Sequence, residues 1–370
     1  MEGLNFQELR KQIHLDAKKN KQFISCQFEL TPRCNLDCKM CYVHNQDSNK
    51  LKSMELSTEQ WKTIFNSACD QGLMFATLTG GECLLREDFK ELYLHLVNRG
   101  VFVTVISNGA LMNEEFIEFF KQYPPDSINI SLYGSSDKCY QSLTGHAKFT
   151  QVTDTIRRVK EAGLNLDINV TASSYMVDDY INILKYLKDN RLPNGFKEFM
   201  IFKKRYDADT DDHTLCIEDV AKLSIERYQL YGKLNPVSED NLPPVGGCVK
   251  EVTPSGIQCS AGTCKAHISW EGVMYPCASL YSYGGFSLKE MSFKEAWDKT
   301  VASMEKVCDP VECNGCAYKK ACPRCIYIRT DDIFSGHCNP DICELTKRLV
   351  AAGVKKLDTP QENDEDEFEH

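Results

Sequence analysis

Hydrophobic positions along the chain switch repeatedly between a period of two and a helical period. Phe23-Ile24-Ser25-Cys26-Gln27-Phe28-Glu29-Leu30 alternates and predicts a strand. Ser57 to Gln71 reads as a helix with a Ser cap and Glu59 in its first turn, and Phe75 to Leu78 as an apolar strand running into Gly80-Gly81. The pattern continues with a helix over Arg86 to Arg99, a β-branched strand over Val101 to Ile106, and a helix capped by Asn113 and running to Tyr123. A strand over Ser127 to Leu132, a helix over Thr150 to Ala162 and a strand over Leu166 to Thr171 follow. A helix over Asp178 to Lys188 and a last strand near Phe199 to Phe202 complete the series. Such alternation predicts parallel strands joined by right-handed helical crossovers, and six units fit an α/β fold, a partial (β/α)6 TIM-type barrel. Barrels of this kind carry their sites at the C-terminal ends of the strands.

The flanks read differently. Leu4, Leu9 and Ile13 recur at roughly helical spacing, so residues 1–22 are expected to hold a short docking helix that packs rather than acts. The barrel is expected over 23–234, ending in a helix from Ile217 to Lys233. A turn-rich connection follows over 235–258, then a small cysteine-rich domain over 259–350 and an acidic tail over 351–370, with seven acidic residues from Asp358 onward.

Composition narrows the function classes. In 370 residues, 43 Lys+Arg against 53 Asp+Glu leave a net charge of −10, which argues against nucleic acid as the main partner. No stretch reaches the roughly 18 apolar residues of a membrane span, and the polar N-terminus lacks a signal-peptide core, so a cytoplasmic setting without membrane attachment is expected. In that setting 19 cysteines imply reduced thiols and metal rather than disulfides.

Three of them, Cys34, Cys38 and Cys41, stand in a C-x3-C-x2-C spacing just after the first predicted strand. A cubane iron–sulfur cluster normally takes four thiolates, so a loop offering three leaves one iron open. A zinc knuckle or buried pair would explain a bare C-x2-C, but explains the threefold spacing less well. Ten of the 19 cysteines fall between Cys259 and Cys343. Zinc on Cys313, Cys316, Cys322 and Cys325 competes as a reading there, at the expense of leaving Cys259, Cys264, Cys277 and Cys343 unexplained. Gly80 and Gly81 also suit a plain turn, Asn108-Gly109 is a common turn dipeptide, and Ser131 suits a strand-end hydroxyl. Lys203, Lys204 and Arg205 are a carboxylate site or a solvated charge run.

The run Thr31 to Tyr42, together with Thr79-Gly80-Gly81-Glu82, resembles the signature of radical S-adenosylmethionine (SAM) enzymes. The resemblance implies that Cys34, Cys38 and Cys41 hold a [4Fe–4S] cluster whose open iron is chelated by SAM. It implies that Gly80, Gly81 and Glu82 receive the methionine amino group, that the backbone of Tyr42 meets the adenine, and that Asn108 and Ser131 lie near ribose or carboxylate. C-x12-G-x4-C from Cys259 to Cys277, with the run from Cys313 to Cys325, resembles the SPASM extension and its two auxiliary [4Fe–4S] clusters. By position, Cys259, Cys264, Cys277 and Cys325 would serve the first, and Cys313, Cys316, Cys322 and Cys343 the second, leaving Cys308 and Cys338 over. One departure is that two residues, not three, separate Cys322 from Cys325.

The resemblance further implies a SAM-cleaving enzyme that makes a 5′-deoxyadenosyl radical to take hydrogen from a residue of a ribosomally made peptide, giving a thioether or carbon–carbon crosslink or a related modification. A flavodoxin- or ferredoxin-type protein would supply electrons. With so few residues before the first strand, a leader peptide, if one is used, is expected to be bound by a separate protein or by the barrel mouth. Anaerobic sulfatase maturation ranks second, because that group places an Asp after the cysteine matching Cys277 and this chain has Ala278. An iron–sulfur electron carrier is the reading from another class.

Overall fold

The computed structural model describes residues 5–43, 48–193, 195–197, 215–232, 234, 236, 259–305, 307, 310–313, 316–323, 325–329 and 337–357. Its strands are β1 (Ser25–Glu29), β2 (Phe75–Thr79), β3 (Phe102–Ser107), β4 (Ser127–Ser131), β5 (Leu166–Thr171), β6 (Gly195–Lys197), β7 (Lys265–Ile268), β8 (Val273–Tyr275) and β9 (Phe286–Ser287). The helices are α1 (Phe6–Lys19), α2 (Ser48–Met54), α3 (Thr58–Asp70), α4 (Phe89–Asn98), α5 (Glu114–Gln122), α6 (Asp137–Thr144), α7 (Phe149–Glu161), α8 (Tyr180–Asp189), α9 (Ile217–Leu230), α10 (Phe293–Met304), α11 (Ile326–Arg329) and α12 (Pro340–Ala351).

Among the described residues one sheet runs β6-β5-β4-β3-β2-β1-β7-β8-β9. It is parallel from β6 through β1 to β7 and antiparallel from β7 to β9. The helices between β1 and β6 are the crossovers of an open α/β barrel. The reason is visible in each strand's alternation. Cys26 and Phe28 of β1, Ala76 and Leu78 of β2, Val103 and Val105 of β3, and Ile128 and Ile130 of β4 are buried in one core with Trp61, Phe65, Leu92 and Phe120 of the helices. Phe28 meets Phe65 and Trp61 edge-on, with ring centroids 4.9 and 6.2 Å apart. The opposite, concave face carries Gln27, Thr77, Asn129 and Asn169, which leaves it polar.

α1 packs Ile13 and Ala17 against Ile24, Phe75 and Met74, where the first two strands begin. The Arg10 guanidinium lies 4.6 Å from the centre of the Phe75 ring. α3 opens on a capping box between Ser57 and Gln60.

Three features depart from the expected pattern. The sheet does not stop at β6, because β7 pairs in parallel with β1, Cys26 opposite Ala266. β6 itself lies at 195–197, while Phe199 to Phe202 fall outside the described residues. α2 and α6 were not expected. Both are short, and short helices owe their stability to packing rather than to a pattern readable in sequence.

Phe28 is fully buried, and truncation to Ala removes its contacts with two rings. Phe28→Ala is expected to lower unfolding free energy by about 3–5 kcal/mol, measured by urea denaturation of the anaerobic protein.

Candidate functional site

The loop after β1 is stapled to the loop after β2. The Gly81 N–H donates to the Thr31 carbonyl at 2.7 Å, and the Glu82 N–H donates to the Arg33 carbonyl at 2.8 Å. That approach requires glycine. A Cβ on Gly80, whose φ is +153°, would stand 2.4 Å from the Thr31 oxygen, and one on Gly81 would stand 2.4 Å from the Arg33 oxygen.

A buried ion network holds the same loop from below. Both oxygens of Glu55 accept from Arg33, at 2.6 Å from Nε and 3.1 Å from Nη2, and the Thr31 hydroxyl donates to Oε1. Arg86, just past the Gly-Gly-Glu turn, reaches Glu55 at 3.4 Å, donates to the Leu30 and Leu56 carbonyls, and forks onto Asp88. One carboxylate thus ties the end of β1, the residue before Cys34 and the exit of the glycine turn. Further along, Asp37 and Lys39 donate their N–H groups to the Thr144 and Leu143 carbonyls at the end of α6.

Inside this frame the three thiols of Cys34, Cys38 and Cys41 converge. Burial pushes the Cys34 thiol up to about 12, with Glu82 and then Cys41 adding to the shift. Cys38 is raised well above its usual value by burial, then by Cys41 and Cys34. The Leu36 N–H donates to the Cys34 sulfur at 3.4 Å and the Asn108 amide at 3.6 Å. Thiols so placed stay protonated by themselves and give up their protons to a metal. Among the described residues no three Cys, His, Asp or Glu side chains close around a single ion. A cubane does not ask for that, because each thiolate binds its own iron. The donor set, its burial and its N–H···S bonds fit such a cluster.

Glu82 is buried and accepts from the Leu84 N–H at 3.0 Å, the Asn108 N–H at 2.7 Å and the Ser107 hydroxyl at 3.1 Å. Burial raises its pKa against the pull of these bonds. Asn108 bridges to the cysteine loop through Asn35 Oδ1 at 2.8 Å. Ser131 ends β4, two residues before Tyr133, whose hydroxyl is pushed up by burial and then by the three cysteines. Tyr42 is half-buried at the end of the loop.

In the C-terminal region the described cysteines fall into two groups and one outlier. Cys259, Cys277 and Cys325 come together: burial raises Cys325 to about 11, with Cys259 and then Cys277 contributing, and burial followed by Cys277 raises Cys259. Cys313, Cys316, Cys322 and Cys343 form the other group. Burial raises Cys343, and Cys322, Cys316 and Cys313 add to it. Cys338 joins this second group, its sulfur 3.7 Å from that of Cys313. Glu312 holds it there by accepting from the Cys338 N–H at 3.1 Å and pairing with His337 at 2.8 Å. Cys264 stands apart, packed with Ala17, Ile24 and Phe75. Cys308 and the basic run Lys203, Lys204 and Arg205 lie outside the described residues.

Sequence reasoning did not single out Thr31, Arg33, Glu55, Arg86 or Tyr133. It also missed the buried pair of Glu29 and His267, 3.5 Å apart, which joins β1 to β7. Arg33 and Arg86 flank the two motifs, but no spacing rule leads from either to Glu55.

Comparison with known proteins places this geometry. Residues 28–187 match the Radical SAM superfamily model. The sporulation killing factor maturation protein SkfB of Bacillus subtilis (strain 168) is 32% identical over 163 residues, 44% of this chain and 39% of SkfB, so the match spans well under half of that relative. The AdoMet-dependent heme synthase of Methanosarcina barkeri (strain Fusaro / DSM 804) is 23% identical over 325 residues, 80% of this chain and 89% of that one. The crystal structure of Streptococcus suis SuiB bound to precursor peptide SuiA shares the fold, with a TM-score of 0.61 at 16% identity over 92% of this chain and 82% of SuiB.

Removing Glu55 takes from Arg33 the carboxylate that both its guanidinium contacts use, while Arg86 keeps Asp88, an effect of about 3–5 kcal/mol. Glu55→Ala, reconstituted anaerobically, is expected to hold about four irons fewer than the wild type. An iron count equal to the wild type would show that the network does not position the loop.

Proposed function

Residues 28–187 form a radical SAM domain, and from that premise we propose that the chain is a peptide maturase that takes a hydrogen atom from a residue of a ribosomally made peptide and leaves a thioether or carbon–carbon crosslink. The observation that carries the reading is the loop of three half-buried cysteines stapled to the Gly80-Gly81-Glu82 turn at the C-terminal ends of β1 and β2. When bound, a [4Fe–4S] cluster and SAM supply a 5′-deoxyadenosyl radical. Cys34, Cys38 and Cys41 hold the cluster, and Glu82 with the glycine backbone receives the methionine amino group. The Tyr42 backbone would meet the adenine, and Asn108 and Ser131 would lie near the ribose or the carboxylate. The polar concave face of the sheet gives a substrate backbone hydrogen-bonding partners.

The peptide assignment draws support from SkfB, a maturation protein, and from the SuiB fold with its precursor peptide. Two further [4Fe–4S] clusters would sit on the C-terminal cysteines, accepting the electron released when the product forms, with a flavodoxin- or ferredoxin-type protein as the external donor. Ala278 offers no carboxylate beside Cys277, which keeps formylglycine formation second among the peptide reactions. A heme precursor is the competing substrate, favoured by one observation: the heme synthase aligns along 89% of its length.

The test is to reduce the reconstituted enzyme with SAM and, as substrates, the short peptides that the genes flanking its own encode. Nucleoside release with a peptide product two mass units lighter per crosslink is expected, as two hydrogens leave for each bond formed. Nucleoside release that responds to a heme precursor and not to the peptide would select the second reading, and no nucleoside at all would revive the electron carrier.

A further inference from the structure

The turn after β3 needs an Asx side chain at 108, but not an asparagine in particular. Asn108 Oδ1 accepts the Ala110 N–H at 2.9 Å, a turn that Asp or Ser would also make. A backbone N–H can only donate, so the oxygen end of the amide faces Ala110 and the NH2 end faces away from it. That end meets the cysteine loop. Its nitrogen lies 2.8 Å from Asn35 Oδ1 and 3.6 Å from the Cys34 sulfur, so both N–H groups are donated there. The amide is also held in place. The Asn108 backbone N–H donates to Glu82 at 2.7 Å, the Gly109 N–H donates to the Ser107 hydroxyl at 3.0 Å, and the residue is 6% exposed. The Leu36 N–H reaches the same sulfur at 3.4 Å, so Cys34 carries one N–H···S contact from its own loop and one from a different strand end.

Hydrogen bonds to sulfur are among the levers that set an iron–sulfur potential, and a buried one counts for more than one in water. Reduction adds negative charge to a cluster and its thiolates, so a donor fixed against one thiolate favours the reduced form. We propose that Asn108 is a positioning residue that raises the reduction potential of a cluster held by Cys34, Cys38 and Cys41, by donating from its side chain to the Cys34 sulfur. The inference deepens the proposed function and rests on its iron–sulfur part, not on the peptide substrate. Two substitutions separate this role from turn formation. Asn108→Ser keeps a turn-forming oxygen and loses the donor, while Asn108→Asp does the same and adds a negative charge beside the sulfur.

The experiment is a potentiometric titration of the full, anaerobically reconstituted chain with titanium(III) citrate, followed by electron paramagnetic resonance. The signal of the loop cluster is the one absent from Cys38→Ala. At the potential that reduces half of this cluster in the wild type, Asn108→Ser is expected to show clearly less than half of its full signal, and Asn108→Asp less again. Both variants should reach their full signal on stronger reduction, with the iron content of the wild type. The inference is overturned if both variants titrate with the wild type, if only Asn108→Asp moves, if either moves to a higher potential, or if both lack the loop signal altogether. A wild type with no signal that depends on Cys38 would sink the proposed function and this inference together. Shifted potentials in an enzyme that leaves every peptide unmodified would sink the peptide reading and leave the inference standing.

Discussion

The site depends on two backbone hydrogen bonds, Gly81 N–H to Thr31 and Glu82 N–H to Arg33, which press the turn after β2 against the loop after β1. Without them the loop of Cys34, Cys38 and Cys41 would have only its own short sequence to define its shape. With them, the position of the three cysteines follows from the parallel pairing of β1 and β2. The absence of side chains at Gly80 and Gly81 makes this contact possible, and Glu55 reinforces it by drawing Arg33 and Arg86 to one carboxylate. Burial of the thiols follows from the same closeness, and it makes them ligands in waiting rather than free nucleophiles.

Much of this was legible in the sequence, because alternation is a local property. Cys26 and Phe28 announce a buried face, Gly80-Gly81 ends a strand, and Asn113 caps a helix as its side chain does in the structure. The α/β barrel follows from counting such units. The parts that escaped depend on partners far apart in the chain. Glu55 is an ordinary acidic residue until Arg33 and Arg86 are brought to it, and β7 is four residues long with no turn signal marking it as an extension of the barrel. Cys264 packs with Ala17, Ile24 and Phe75, a neighbourhood that no count of residues along the chain gives.

The C-terminal region is continuous with the barrel through β7, so the fold does more than set two units side by side. Its cysteines approach from β7 and β8, from the turn before α11 and from the first turn of α12, while α12 packs on α9 through Leu345, Leu349 and Val220. Any electron passing between the two regions would therefore cross one connected framework. The buried contact of Glu29 with His267 lies on that boundary and ties the first barrel strand to the first strand beyond it.

In the proposed function the three-cysteine loop holds a cluster with one iron left for SAM. The direct measurement is electron nuclear double resonance on the reduced protein with SAM labelled at its amino nitrogen. Magnetic coupling between that nitrogen and the cluster, lost in Cys38→Ala, is expected. A cluster present at full occupancy on the loop with no coupling to the labelled nitrogen would contradict it.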